Sequence, residues 1–325
     1  MKKNIAIIVG GDSGEYEVSI KSGKQLFDQI DQSKYNPILI HLKSIDWKAT
    51  IDGKEIQVDK NDFTVSMNGN KTRFDCALIG IHGTPGEDGK LQSYFEMMKV
   101  PYTTCGILSS SLTFNKYMCK QYVIPFGIIT AKSMLVHKND KVDAAEVVKN
   151  LGLPCFIKPN NGGSSCGVSK IADVNEIVPA IQKALEHDSE IIVEEYIKGT
   201  EITCGVMKTR DRSMVFPIAE IVSKKEFFDY EAKYTNGMAD EIIPARIPEK
   251  IKQDCEITSS LIYDKLFCRG IVRIDYIIKD EKLYFLEVNT VPGQSEASII
   301  PRMIKVSGLT MTAILTDLIE DALNS

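Results

Sequence analysis

Two short polar pairs separated by a turn stand out in the last quarter of this 325-residue chain. Arg273 and Asp275 form the first pair, and Glu287 and Asn289 form the second. Both pairs lie in apolar, β-prone sequence, where alternate side chains share one face of a strand, so each pair presents two polar groups to one side. Carboxylate and amide oxygens suit a hard cation such as Mg2+, which usually takes few carboxylates from a protein and its other ligands from phosphate and water. The spacing therefore predicts a site for a metal-bound nucleotide.

The two pairs meet only in one strand register. In an antiparallel hairpin, Asp275 faces Glu287 if the connection has an odd number of residues, for example residues 280–282, or if a bulge shifts the pairing. We predict that register. A two-residue turn without a bulge would place the two carboxylates on opposite faces, and the pattern would then describe an ordinary solvated hairpin.

Size and composition narrow the class of protein. A chain of 325 residues is long for one compact core, so two or three domains are expected. Apolar residues make up 43% and charged residues 26% of the chain, as in soluble globular proteins. The formal net charge of −5 argues against general nucleic-acid binding, which needs a basic surface. No apolar run approaches transmembrane length, so we expect neither nucleic acid nor membrane as a partner.

The cysteines and the N-terminus indicate the compartment. The eight cysteines are scattered without a Cys-x-x-Cys pair, and several lie in apolar runs, as reduced buried thiols do. The Met-Lys-Lys start resembles a signal peptide, but its apolar stretch stops at Gly10 and an acidic loop follows. We therefore expect a cytoplasmic protein. Neither a zinc cluster nor the Gly-x-Ser-x-Gly motif of a hydrolase is recognisable.

Strand and helix patterns divide the chain into three blocks. The first hundred residues alternate between strands and helices, which predicts a parallel sheet with ligands at the carboxyl ends of its strands. The expected elements there are strands at 5–9, 36–41 and 76–81, helices at 17–30 and 91–98, and a small polar hairpin between 46 and 73. The middle block should contain a helix at 110–122, strands at 131–136, 155–158 and 168–171, and a helix at 175–185. The pattern of the remaining residues predicts long antiparallel strands, with helices at 248–266 and from 310 onward. From these three blocks we expect domains at 1–104, 105–191 and 192–325 that pack around a shared cleft.

The first Gly-rich loop, residues 10–15, follows a strand and opens a helix. It lacks the dinucleotide-binding spacing, because Asp12 and Glu15 stand where glycines are required, and this disfavours a nicotinamide oxidoreductase. A carboxylate at a helix N-terminus competes with phosphate for the positive end of the helix. Two interpretations of Glu15 remain: it binds a substrate ammonium group, or it caps its own helix.

A second Gly-rich loop, residues 158–167, joins two predicted strands. It lacks the Lys-Ser/Thr and the following helix of a P-loop, but a hairpin of backbone N–H groups can fold over phosphates, with Lys158 supplying charge. The alternative is a mobile surface hairpin.

At the carboxyl end of another predicted strand, His82 is placed to contact substrate or to move a proton.

Taken in order, these motifs resemble the ATP-grasp enzymes, and specifically the D-alanine:D-alanine ligases. The similar stretches are Gly-Gly-Asp-Ser-Gly-Glu at 10–15, His-Gly at 82–83, Gly-Glu-Asp-Gly at 86–89, the Gly-rich hairpin with its upstream lysine, Val-Glu-Glu-Tyr-Ile at 193–197, Phe-Asp-Tyr-Glu-Ala-Lys-Tyr at 228–234, Arg-Ile-Asp at 273–275 and Leu-Glu-Val-Asn-Thr-Val-Pro-Gly at 286–293. The resemblance runs nearly from end to end. It implies an N-terminal parallel α/β domain followed by a two-part ATP-grasp fold of α+β type.

The resemblance also implies roles for individual residues. Residues that would bind ATP phosphates are Lys116, Lys158, Lys233, Ser164 and Ser165, and those around adenosine would be Glu194, Glu195, Ile197 and Glu201. The ligands of two Mg2+ ions, with Mn2+ as an alternative, would be Asp275, Glu287 and Asn289. Glu15 would bind the ammonium group of the first D-alanine with His82 nearby, and Ser298 the carboxylate of the second. Glu15, Ser164 and Tyr234 would form a hydrogen-bonded group that closes the site, while Arg273 and the Gly293 backbone stabilise the oxyanion.

The activity implied by the resemblance is ATP-dependent joining of two D-alanines through an acyl phosphate, for peptidoglycan precursors, by a homodimer. The chain departs from the usual family residues at Tyr16, at 160–162 and at 294–297. The departures bear on the second substrate, and Tyr234 in place of Phe favours an amino acid over D-lactate. The alternatives are a ligase that uses D-serine or D-lactate as second substrate, and a non-catalytic nucleotide or amino-acid sensor on the same scaffold.

Overall fold

The computed structural model describes residues 2–67, 69–163, 167–223 and 239–325. Within these ranges the strands form three sheets, of seven, four and six strands. The mixed α/β and α+β architecture predicted from the sequence is confirmed.

The first sheet belongs to the N-terminal part of the chain. Its elements are β1 (Lys3–Gly10), α1 (Tyr16–Gln29), β2 (Tyr35–Lys43), β3 (Asp46–Ile51), β4 (Lys54–Asp59), β5 (Thr64–Met67), β6 (Asn70–Arg73), β7 (Cys76–Ile79) and α2 (Lys90–Met98). The strand order is β6-β5-β4-β3-β2-β1-β7. Alternate residues of β1 belong to two different apolar clusters, so this strand is buried on both faces, as central parallel strands are.

The predicted parallel sheet is only partly parallel. β1 pairs in parallel with β2 and with β7, as the alternation of strands and helices indicated. β3, β4, β5 and β6 are antiparallel and extend the same sheet. The segment predicted as a small hairpin excursion therefore forms more than half of the sheet, because its alternating polar pattern fits strands that are exposed on one face.

The middle part contains a four-stranded antiparallel sheet. Its elements are α3 (Ile107–Phe114), α4 (Lys116–Val123), β8 (Ser133–His137), α5 (Ala144–Leu151), β9 (Cys155–Pro159), β10 (Ser169–Ile171), α6 (Ile177–Ala184) and β11 (Glu190–Glu195). The strands lie in the order β10-β9-β11-β8. α5 was not predicted from the sequence.

The predicted helix at 110–122 is wrong in one respect, since the chain forms two helices that meet at Asn115. The backbone of Asn115 is extended, with ψ of 101°, and its side chain accepts a hydrogen bond from the Met118 N–H at 2.9 Å. Asn is a favoured N-cap because its side-chain oxygen satisfies a free N–H of the first turn. The break makes Lys116 the first residue of α4.

The third sheet is antiparallel. Its elements are β12 (Thr200–Lys208), β13 (Ser213–Val215), β14 (Ala219–Ser223), β15 (Ala239–Ile242), α7 (Glu249–Lys265), β16 (Gly270–Lys279) and β17 (Lys282–Asn289), followed by α8 (Ile299–Val306) and α9 (Met311–Leu323). The order is β15-β14-β12-β16-β17, with β13 beside β12. α8 was not predicted; α9 was, and it packs into the apolar cluster that also contains Ile5 and Leu78 of the first sheet.

The cysteines of the described ranges are all free thiols, and all but Cys268 are buried, as predicted; Cys166 lies outside those ranges. Across the described ranges, no single helix has the length and apolar character needed to cross a membrane. α8 and α9 meet both criteria only as a pair, and that pair is bent by 107° at the break between them.

Candidate active site

The hairpin of β16 and β17 has the predicted register. Asp275 lies opposite Glu287, and Arg273 opposite Asn289. The connection is a two-residue turn, Asp280 and Glu281, both in the left-handed region with φ of 50° and 57°, as the tight turns that suit strand twist require. A bulge between the pairs of Asp275 and Tyr276 restores the register. Of the two routes considered, the odd-length connection is wrong and the bulge is confirmed.

Asp275 is held by three side chains. Arg273 donates two hydrogen bonds to it, from Nε to Oδ1 at 2.9 Å and from Nη2 to Oδ2 at 2.8 Å. Asn289 Nδ2 donates to Oδ2 at 3.0 Å, and Thr203 Oγ1 donates to Oδ1 at 2.5 Å. Burial opposes the charged form of Arg273, but the adjacent carboxylate outweighs it and raises the pKa of the guanidinium. The guanidinium is therefore charged and fixed in orientation.

Glu287 faces a lysine of another element. Lys116 Nζ lies 2.8 Å from Glu287 Oε2 and donates to the Gly162 carbonyl at 2.7 Å. Although burial lowers it, the pKa of Lys116 is raised overall, chiefly by Glu287. A positive group thus already stands at this carboxylate.

The donor set fits a magnesium ion that also binds phosphate. Two carboxylates and one amide, from Asp275, Glu287 and Asn289, lie on one face of adjacent strands. In the described ranges no group of three or more His, Cys, Asp or Glu residues is placed to hold a metal by itself. A site with few protein ligands suits Mg2+ because this ion keeps several waters or phosphate oxygens.

A second cluster of charges is buried beside the first. Glu194, at the end of β11, contacts both Lys120 and Lys158, the latter at 2.5 Å. Burial alone would raise the pKa of Glu194, but the two lysines lower it to about 2. Lys120 is fully buried and was missed by the sequence analysis. Its position one helical turn after Lys116 could have indicated it, since residues four apart share a helix face.

The other residues predicted around adenosine lie near this cluster in the chain. Glu195 accepts the Lys132 N–H at 2.8 Å, and Ile197 is buried just beyond β11. Glu201 lies on β12 and pairs with Ile277 of β16. Their contacts with a nucleotide stay a prediction.

The base of the second Gly-rich loop is fastened by asparagines. Asn160 is fully buried; its Nδ2 donates to Glu190 at 2.9 Å, and its Oδ1 accepts the Tyr117 N–H at 2.8 Å. The Asn115 side chain donates to the same Glu190 at 3.1 Å. These bonds join β9, β11 and the start of α4, so they set where Lys116 and Lys158 stand. The predicted residues Ser164, Ser165, Lys233 and Tyr234 lie outside the described residues.

Glu15 faces the cleft between the two Gly-rich loops. It is the N-cap residue of α1, but its side chain makes no cap hydrogen bond, so the capping interpretation is wrong. A Cβ added at Gly163 would lie 3.0 Å from Glu15 Oε2, and one at Gly83 would lie 3.4 Å from the same oxygen. The cleft is lined by residues of three regions, among them Glu15, Glu87, Lys116, Gly163, Glu287 and Asn289.

His82 is buried, and protein groups occupy both of its ring nitrogens. Nδ1 lies 2.6 Å from the Val291 carbonyl, and Nε2 lies 2.9 Å from Ser22 Oγ. Burial lowers the pKa of His82, although Glu15 acts in the opposite direction. The predicted contact of His82 with substrate stays a prediction, while its contact with the loop after β17 was not foreseen.

Gly293 and Ser298 lie close together after β17. A Cβ added at Gly293 would lie 2.8 Å from Ser298 Oγ, so a side chain there would collide. Ser298 is the N-cap residue of α8, and its hydroxyl lies 2.7 Å from that of Ser295. The predicted contact of Ser298 with a second substrate stays a prediction.

Family models match most of the chain. The model described as D-ala D-ala ligase N-terminus matches residues 4–105, and the one described as D-ala D-ala ligase C-terminus matches residues 122–320. Among curated proteins, the D-alanine–D-alanine ligase of Phocaeicola vulgatus is 48% identical over 323 residues, with 99% of each chain covered. That of Bacteroides fragilis is 46% identical with the same coverage.

Solved structures agree with these matches. A D-Ala:D-Ser ligase from Enterococcus faecalis is 33% identical, with a TM-score of 0.88 over 98% of this chain and 99% of that one. A D-alanine–D-alanine ligase from Bacillus anthracis complexed with ATP is 31% identical, with a TM-score of 0.80 over 100% and 98%. D-alanyl-alanine synthetase A from Vibrio cholerae is 26% identical, with a TM-score of 0.90 over 100% and 99%. The chain belongs to the D-ala D-ala ligase family.

Proposed function

We propose that this ligase joins two D-alanines to D-alanyl-D-alanine, with cleavage of ATP to ADP and phosphate, for peptidoglycan precursors. One observation carries the proposal: Arg273, Asp275, Glu287 and Asn289 share a face of one hairpin, and Lys116 of another element reaches the same face. Such a set matches the charge of nucleotide phosphates and of an acyl phosphate.

The first step activates a carboxylate. The carboxylate of the first D-alanine attacks the γ-phosphorus of ATP, and ADP leaves, which gives an acyl phosphate. A carboxylate is a poor electrophile, so the protein's task is to position the reactants and to neutralise charge. Lys116 and Lys158 hold phosphate oxygens, with Lys233 as a further lysine. Bound Mg2+, held by Asp275, Glu287 and Asn289, would offset negative charge on the phosphates.

The second step forms the peptide bond. The amino group of the second D-alanine attacks the acyl carbonyl, loses a proton, and phosphate leaves. Negative charge develops on the carbonyl oxygen, where Arg273 and the Gly293 N–H donate hydrogen bonds. A well-placed donor of this kind lowers the barrier by about 3 kcal/mol. Glu15 binds the ammonium group of the first D-alanine, and Ser298 the carboxylate of the second.

Water must be kept from the acyl phosphate, since it hydrolyses readily. We infer that Ser164 and Tyr234 join Glu15 in closing the site, while Ser165 binds ATP phosphates. We also infer that the chain divides into domains at 1–104, 105–191 and 192–325, with the cleft between them. A cytoplasmic homodimer is part of the same proposal.

The test is ATP-dependent phosphate release with a panel of D- and L-amino acids and D-lactate, with the product weighed by mass spectrometry. We expect release to require D-alanine, and the product to be the D-alanine dipeptide. A mixed product with D-serine or D-lactate would correct the second substrate. ATP binding without any amino-acid-dependent phosphate release would favour a non-catalytic sensor.

A variant pair localises the activity. Glu287→Gln removes one charge from the metal-facing set and should lower kcat at least about 100-fold. Glu281→Gln makes the same chemical change on the same hairpin, at the exposed turn, and should leave kcat near wild type. Near-normal turnover of the Glu287 variant would refute the proposed role of the hairpin.

A further inference from the structure

Residues 291–294 lead from β17 to α8 and contain Gly293, whose N–H is the proposed oxyanion donor. Both backbone polar groups of Val291 are bound by side chains of the loop after β7. The Val291 N–H donates to Glu87 Oε1 at 2.8 Å, and the Val291 carbonyl lies 2.6 Å from His82 Nδ1. A carbonyl can only accept, so Nδ1 carries the proton and Nε2 is left as an acceptor.

The same side chains are anchored in the N-terminal part of the chain. Glu87 Oε2 accepts the Gly83 N–H at 2.8 Å. Ser22 of α1 donates to His82 Nε2 at 2.9 Å, and its oxygen accepts the Gln294 N–H at 3.1 Å. The segment is therefore held at 291 and at 294, on both sides of Gly293. We call Ser22, His82 and Glu87 the loop clamp.

The environment of Glu87 favours hydrogen bonds to the protein backbone over contact with water. Burial, and then the negative charge of Glu15, raise the pKa of Glu87 to about 8, while the two backbone N–H groups and Arg273 act in the opposite direction. Both carboxylate oxygens already accept a backbone hydrogen bond. Above a pH of about 8 Glu87 is ionised, and its two acceptor oxygens then bind the Gly83 N–H and the Val291 N–H of two different loops.

We propose that Glu87 is a positioning residue, which acts with His82 and Ser22 to fix the Gly293 amide for the peptide-forming step. The inference rests on the proposed function. An oxyanion donor acts only if its N–H is held within a fraction of an ångström of the developing charge, and a loop has no sheet partner to hold it there. The N-terminal part of the chain therefore supplies part of the transition-state geometry, and not substrate contacts alone.

The test is steady-state kinetics of Glu87→Gln and Ser22→Ala in the full-length enzyme. A Gln side chain cannot accept from both N–H groups, and Ala removes both bonds of Ser22. For each variant we expect kcat to fall by about 10- to 100-fold while KM for ATP stays within about twofold of wild type, because a transition-state contact is lost and nucleotide binding is not.

Two control variants carry the same kind of substitution at residues that lie outside the loop clamp. Ser19 lies on the same helix, is buried, accepts the Gly10 N–H at 2.9 Å and donates to the Gly80 carbonyl at 2.7 Å. Ser19→Ala should lower thermal stability as much as Ser22→Ala does, yet leave kcat within about threefold. Glu17→Gln, on the exposed side of α1, should change neither.

The double variant Ser22→Ala with Glu87→Gln tests whether the two side chains act together on residues 291–294 or independently of each other. If both side chains hold one loop, the kcat loss of the double variant is smaller than the product of the single losses. Equal kcat losses in Ser19→Ala and Ser22→Ala would overturn the inference, as would a Glu87→Gln variant that raises KM for D-alanine at unchanged kcat. Absence of D-alanine-dependent turnover in the wild type would instead refute the proposed function itself.

Discussion

The two sides of the cleft are built on different interactions. On the phosphate side, lysines and carboxylates from α4, β9, β11 and β17 neutralise one another, with Lys120 and Glu194 buried together. On the amino-acid side, residues 291–294 are held by hydrogen bonds to their backbone from Ser22, His82 and Glu87. On the phosphate side, a bound nucleotide has to replace carboxylates as the partner of the lysines. On the amino-acid side, residues 291–294 are already held in place without a ligand. A charge change at the buried pair of Lys120 and Glu194 should therefore lower the stability of the fold, and a change on the amino-acid side should lower turnover.

The largest expected effect is on the phosphate side. Glu194→Gln leaves Lys120 buried without a charged partner, and breaking a buried pair in this way costs about 3–5 kcal/mol. We expect urea unfolding to show that loss. Lys120→Met combined with Glu194→Gln should recover most of it, because the fully buried ammonium group is then removed; a double variant that is no more stable than Glu194→Gln would contradict the pairing.

The same pair predicts a pH dependence with a definite sign. In the wild type the pKa of Glu194 is lowered to about 2, so its stabilising contribution is complete above the unfolded value near 4.5 and is lost as the pH falls through that window. Burial already lowers the pKa of Lys120 in the folded wild type, and Glu194→Gln removes the carboxylate that acts in the opposite direction. The folded variant then holds fewer protons than its unfolded chain, so its stability should rise with pH toward about 10, more steeply than that of the wild type. Denaturant midpoints at several pH values measure both slopes.

An intermediate effect is expected where the two sides meet. Arg273→Lys keeps the charge but loses the paired hydrogen bonds to Asp275 and the fixed plane of the guanidinium. We expect kcat to fall about 100-fold, with a much smaller change in unfolding free energy. Arg246→Lys, at an exposed guanidinium that pairs with the buried Glu220, is the control and should be near wild type in turnover. Equal losses in both variants would show that Arg273 has no particular place in the chemistry.

The smallest effect concerns the base of the Gly-rich loop. Asn160→Ala removes the bonds to Glu190 and to the Tyr117 N–H, and leaves this partly buried N–H without its side-chain partner. We expect KM for ATP to rise about 10-fold, because Lys116 and Lys158 are less well placed, while kcat at saturating ATP changes little. Asn175→Ala, at an exposed asparagine in the same part of the chain, is the matched control. A fall in kcat without a change in KM would argue that the asparagine acts in the chemical step.

The sequence predicted the phosphate side better than the amino-acid side, for a physical reason. Arg273, Asp275, Glu287 and Asn289 obey strand alternation, so their common face could be read from spacing once the register was fixed. The bulge that fixes it depends on which pairing buries Phe285 and Tyr276, which local spacing does not state. The general α/β plan followed from periodicity, whereas α5, α8 and the break at Asn115 did not.

The loop clamp could not have been predicted from residue types. The loop clamp binds backbone N–H and carbonyl groups of residues 291 and 294. Almost every residue has such groups, so no sequence motif identifies them as partners. Glu87 belongs to a recognised motif, but its contact with a loop some two hundred residues later depends on how the first and third sheets pack. Lys120 was missed for a lesser reason: its helical spacing from Lys116 was visible, and its burial was not.

Among the residues that the structure describes, a carboxylate stands beside each of four cations of the cleft, Lys116, Lys120, Lys158 and Arg273, with Glu194 shared by Lys120 and Lys158. Cations paired in this way project little field into solution, so these four should not draw anions from a distance. The rate at which nucleotide enters should therefore vary little with ionic strength. Selectivity among anions should arise only at contact, when the metal ion of the nucleotide replaces Lys116 at Glu287.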